Sequence, residues 1–142
     1  QQQLLALITN ETLRAAIEQH TDETQQQIRN LGQIFVLLGA SPQRESCDAA
    51  QGLISEAQKS VQNAGNVSVR DCLILSSLLK VEHYEMASYR NLVIGAQYVD
   101  NGEVKLLLQE IQQQEEDTAH KLEMAAPLLI EKAMQNEVAP VK

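Results

Sequence analysis

Apolar residues recur along most of this chain at alternating steps of three and four, the period of a helix that buries one face. Three long helices follow from that pattern. The first spans residues 11–38, with the seam Leu13, Ile17, His20, Thr24, Gln27, Leu31, Ile34 and Leu38. The second spans 69–98, with Leu75, Leu79, Glu82, Met86, Tyr89 and Val93. The third spans 103–134, with Val104, Leu108, Ile111, Glu115, Thr118, Leu122, Ala125 and Leu129. A shorter helix with a weaker pattern fits 46–63, and residues 1–8 read as the tail of a helix already under way. Local punctuation agrees: Asn10 or Thr9 can cap the first long helix, Gly39 ends it, Ser68 caps the second, and Asp100-Asn101-Gly102 makes a tight turn before the third. Pro127 falls inside the last pattern and predicts a kink or an early end near Ala126. The fold class is all-α, with one domain over 1–136 and a frayed tail at 137–142.

What interrupts the seams carries the chemistry. His20, Glu23 and Gln27 stand in the middle of the first, Glu82 and Glu85 in the second, and Glu115 in the third. A buried carboxylate costs several kcal/mol unless it is neutralised, paired or metal-bound. The turn near residue 100 makes the second and third helices antiparallel neighbours, with Glu85 and Glu115 almost equally far from it. Glu82 lies roughly 4.5 Å further along, at about 1.5 Å of rise per residue. One polar layer across the bundle is the simplest arrangement. Iron and manganese take carboxylate and imidazole ligands. Two-metal bundles supply one Glu from each of two helices and a Glu-x-x-His from each of the other two. The fit is partial, because Glu23-x-x meets Gln26, Glu115-x-x meets Thr118, and His20 precedes Glu23 by three. His83 and His120 fall off the seams. Spacing leaves equally open a hydrogen-bonded polar core, in which Glu82, Glu85 and Tyr89 pair with His20, Gln27 or Arg90 and fix the packing register.

Composition narrows the class. The chain is 44% hydrophobic with one Phe and no Trp, so its core must be aliphatic, which suits a helical bundle. A net charge of −8 and no basic stripe argue against nucleic-acid binding. No apolar run reaches the roughly 18 residues of a membrane span. Cys47 and Cys72 are too few for a disulfide framework and read as reduced, half-buried thiols of a cytoplasmic protein. The chain shows no signal peptide and no initial Met, and opens inside a helix, so a preceding segment is expected.

LRAAIEQHTDET (13–24), QIFVLLGASP (33–42), CDAAQGLISEA (47–57), VRDCLILSSLLKVEHYEMASY (69–89) and LLQEIQQQEEDTAHKL (107–122) resemble the YciE/YciF family of ferritin-like bacterial stress proteins. VEHYEMASY with its upstream VRD is the most specific part, and the resemblance spans about residues 4–126. It implies a ferritin-like four-helix bundle whose long crossover, residues 39–68, contains the short helix. It also implies a homodimer, a dinuclear iron or manganese site, and a part in stress, oxidant or metal handling. Glu23 matches the family's second-helix Glu, Glu82 and Glu85 those of the third, and Glu115-Glu116 the pair of the fourth. The first-helix Glu falls upstream of Gln1, Gln27 stands where many relatives carry His, and His120 where relatives often have Asp. The expected metal ligands are Glu23, Glu82, Glu85, Glu115 and His20, with Gln27 a weaker contributor and Tyr89 behind them. No catalytic residue and no small-molecule substrate is assigned. Two other readings stand beside this one: a non-enzymatic dimeric bundle with a purely structural polar layer, and a partner-binding module using an apolar groove beside the three long helices.

Overall fold

Each helix begins where a side chain can take over the free amides of its first turn. The computed structural model describes residues 5–138. It contains α1 (Glu11–Leu37), α2 (Asp48–Gln62), α3 (Val67–Ala96) and α4 (Gly102–Val138), with no strand among the described residues. Asn10 caps α1 by accepting from the Leu13 amide at 2.9 Å. Asn66 caps α3 by accepting from the Val69 amide at 2.9 Å, so the cap lies two residues before the expected Ser68, which is buried in the first turn. The Cys47 thiol takes the cap position of α2, accepting from the Ala50 amide at 3.5 Å. Gly39, at φ 64°, closes α1 in a Schellman turn: its amide donates to Val36 O at 3.0 Å and that of Ala40 to Phe35 O at 2.9 Å.

Two expectations need correction. α4 neither ends at Pro127 nor stops at 134, but continues to Val138. A helical proline costs about 3 kcal/mol, and Leu122 on one side and Leu129 and Ala133 on the other are buried and hold both halves against the bundle. Cys47 is exposed rather than half-buried, while Cys72 is partly covered, and both are free. Residues 1–4 and 139–142, parts of the expected opening helix and tail, lie outside the described residues.

α1 and α3 run parallel in constant register: Thr9 meets Asp71, His20 faces Glu82, and Ile34 clusters with Ala96. α4 is antiparallel to both and packs against each. Two parallel helices must be joined by a segment that travels back along the bundle. Residues 38–66 make that return, with α2 lying on α3 through the Cys47–Tyr84 contact and a Lys80–Glu56 ion pair. This is the ferritin-like architecture with its long crossover. At the entry to α1, the buried Asp71 carboxylate accepts the Thr9 amide at 3.0 Å, the Thr9 hydroxyl at 2.6 Å and the Asn10 amide at 2.9 Å. Ile8, Leu13, Ile17, Ile74 and Leu122 form the core at this end, and Ile34, Ala96, Val104 and Leu108 the core at the other. The polar layer lies between the two.

Candidate metal centre

His20, Glu82 and Glu115 meet at the waist of the bundle, one from each long helix. One ligand atom from each lies within 4.8 Å of the others. All three are sealed, at 3%, 0% and 0% exposure. Each occupies a seam position, so the burial of its flanking apolar residues drives it inward. His20 Nε2 stands 3.4 Å from Glu82 Oε1. On the other side of the ring, the Thr118 hydroxyl lies 3.4 Å from His20 Nδ1 and donates to Glu23 Oε2 at 3.3 Å. A hydroxyl that spends its proton on Glu23 can only accept from Nδ1–H. With the hydroxyl proton on Glu23, this arrangement suits the Nδ1–H tautomer, which turns the Nε2 lone pair to Glu82.

The electrostatics are those of unrelieved burial. No donor outside the acid cluster reaches the carboxyls of Glu82 and Glu115; their only hydrogen-bonding company is each other and Glu85. Burial, then the facing Glu115, then Glu85 and Glu23, push Glu82 up to about 10. Burial and Glu115 push Glu85 up to about 7, and burial with Glu85 and Glu115 pushes Tyr89 up to about 12. His20 is lowered by burial, against the pull of Glu115 and Glu23. Burial thus favours the neutral forms of both Glu82 and His20. The donor set of one imidazole nitrogen and two carboxyl groups that find no partner outside the acid cluster fits a hard or borderline divalent cation.

Of the other expected residues, Glu85 reaches Glu115, and the rest gather around the trio. Glu23 is half-buried, with Oε1 accepting from Gln19 Nε2 at 2.7 Å and Oε2 held by Thr118. Glu85 borders a groove of about 550 Å³ between α2 and α3, whose walls include Leu53, Ile54, Ala57, Leu78 and Val81. Gln27 is buried with its amide nitrogen unpartnered, and Tyr89 packs on the Ile34–Val104 cluster. His120 is exposed, and His83 pairs at the surface with Glu123 at 3.4 Å. Arg90 lies 3.5 Å from Glu116, an exposed contact that leaves it no part in the layer. Sequence reasoning missed the roles of Thr118, Asp71 and the buried Asn30. Thr118 is itself a seam position and Asp71 lies one helical step before Leu75, a signal that could have found them.

A family model described as a domain of unknown function, DUF892, matches residues 1–135. Protein YciF of Escherichia coli K12 is 32% identical over 130 residues, covering 91% of this chain and 78% of its own. The crystal structure of the E. coli stress protein YciF superposes with a TM-score of 0.85 at 32% identity, over 91% of this chain and 82% of that one. YcfI of Rhodopseudomonas palustris superposes with a TM-score of 0.82 at 31% identity, over 85% and 77%.

Proposed function

The chain belongs to the DUF892 family, and from that premise we propose that its polar layer is a carboxylate-rich centre for iron or manganese in a stress-associated protein of metal or oxidant handling. One observation carries the reading: two fully buried carboxyls, Glu82 and Glu115, that no donor outside the acid cluster reaches, facing a buried imidazole nitrogen. Buried polar groups are almost always partnered, and each exception asks for a missing partner. A bound divalent ion supplies Lewis-acid or redox chemistry. The protein's own residues do the rest: Thr118 orients His20, the apolar clusters on either side exclude water, and Glu82 surrenders a proton on loading.

The experiment is thermal melting with and without saturating Mn(II) or Fe(II). A ligand that binds only the folded state raises the midpoint, by about 2.7 kcal/mol of stability at a hundred times Kd. An unchanged midpoint favours the second reading, a non-enzymatic bundle whose polar layer fixes packing. The Gln19–Glu23–Thr118–His20 chain of contacts favours that alternative, because it satisfies half of the layer without metal. A homodimer belongs to both readings. It is supported by exposed apolar residues at both ends of the bundle, among them Val36, Ile94 and Tyr98 at one and Leu128, Ile130 and Met134 at the other.

A further inference from the structure

We infer that Thr118 is a positioning residue of this centre: it stands on α4 where a Glu-x-x-His segment would carry its histidine, and it holds the imidazole of His20, delivered from α1, in that histidine's place. The inference rests on the metal reading above. It names how the nitrogen donor is fixed and leaves the number of ions open. In a Glu-x-x-His segment the carboxylate and the imidazole come from one helix, three residues apart and so on one face. Here Glu115 keeps the carboxylate, and the third position after it is Thr118. Both are sealed in the interior, at 0% and 3% exposure. Threonine leaves free the space that an imidazole would fill. His20, buried as deeply, brings its own ring there from the facing helix.

The contacts around that ring are those of a ligand held in place. On one side Nδ1 lies 3.4 Å from the Thr118 hydroxyl, which donates onward to Glu23 Oε2 at 3.3 Å. Glu23 Oε1 in turn accepts from Gln19 Nε2 at 2.7 Å. On the other side Nε2 stands 3.4 Å from Glu82 Oε1. One nitrogen is engaged by an outer partner and the other is turned to the acids. Ligating histidines are oriented in this way, by a hydrogen bond on the nitrogen that does not bind the ion. A packing role for residue 118 needs only its volume, whereas the positioning role needs its hydroxyl. The two roles therefore separate by experiment.

The test is Mn(II) binding to the full-length protein, with affinity from titration and the ligand nitrogen read by pulsed electron paramagnetic resonance. The wild-type spectrum is expected to show coupling of the ion to an imidazole nitrogen. Thr118→Val, nearly isosteric, should weaken binding about tenfold while the helical circular dichroism stays intact. Thr118→Ser, which restores the hydroxyl, should recover most of that loss. His20→Ala should remove the nitrogen coupling, and His20→Ala/Thr118→His, which returns the histidine to α4, should restore it. The Thr118→Val and Thr118→Ser pair decides the matter should the histidine variants fail to fold. Mn(II) bound without nitrogen coupling, or bound equally well by Thr118→Val, overturns the positioning role and leaves the metal reading standing. So does a folded double variant that lacks the coupling. No manganese on the folded wild type overturns both.

Discussion

Glu82 shows how one residue couples this site to stability. It is fully buried and its carboxyl is pushed up to about 10 from an ordinary 4.5. The folded state therefore keeps a proton that the unfolded chain has lost across that interval. Stability from this group is complete below about 4.5 and is lost as pH rises through the folded value. Glu85, raised to about 7, adds to the loss in the lower part of the window. His20, lowered by burial, acts with the opposite sign: its contribution is present above its ordinary 6.5 and is lost as pH falls through the folded value. Metal-free protein should thus melt progressively lower as pH is raised from about 6 to about 9, and Glu82→Gln should flatten that decline. Melting curves across that range check it, and an undiminished slope in the variant contradicts it. Metal affinity should move the other way, rising with pH, because loading displaces the same proton. The three inward groups were legible because each sits on an apolar seam. Which of the six polar candidates would share ligand distance was not, since a rotation of some 60° about one helix axis exchanges Glu82 for Glu85 at the centre.

At the scale of the element, Asp71 joins two helices that share no turn. Its carboxylate collects two amides and a hydroxyl from Thr9 and Asn10, fixing where α1 starts relative to α3 and hence the register that brings His20 to Glu82. Asp71→Asn replaces one accepting oxygen by a donor and should cost about 2–3 kcal/mol, the penalty of leaving buried donors unmet. Denaturant unfolding measures the loss, and a cost below about 0.5 kcal/mol would show the anchor to be dispensable. Helix existence was readable from periodicity throughout, and Gly39 marked the end of α1. The end of α4 was not, because local proline sterics and tertiary burial compete there. Leu129 and Ala133, past Pro127, decide the outcome through contacts that the sequence does not locate.

At the scale of the molecule, parallel α1 and α3 bring three helix ends to one pole of the bundle. Val36 is 78% exposed there, Tyr98 88% and Leu106 66%. In the proposed homodimer, exposed apolar groups of this size are the expected association surface. Sedimentation should find a dimer for the wild type and a monomer for the double variant Ile94→Glu/Tyr98→Glu. A dimer that survives both charges places the interface elsewhere. The bundle and its crossover were legible from helix lengths and from the YciE/YciF-like segments. The choice of neighbours, with α4 packed against both α1 and α3, came only from three dimensions.

The most direct measurement is elemental analysis of protein purified without chelator, beside Glu82→Ala and Glu115→Ala. Near-stoichiometric iron or manganese in the wild type, lost in both variants, is the result expected of a metal centre. Metal-free wild type that stays folded and refuses added Fe(II) and Mn(II) would contradict it and leave the carboxylate layer a packing device.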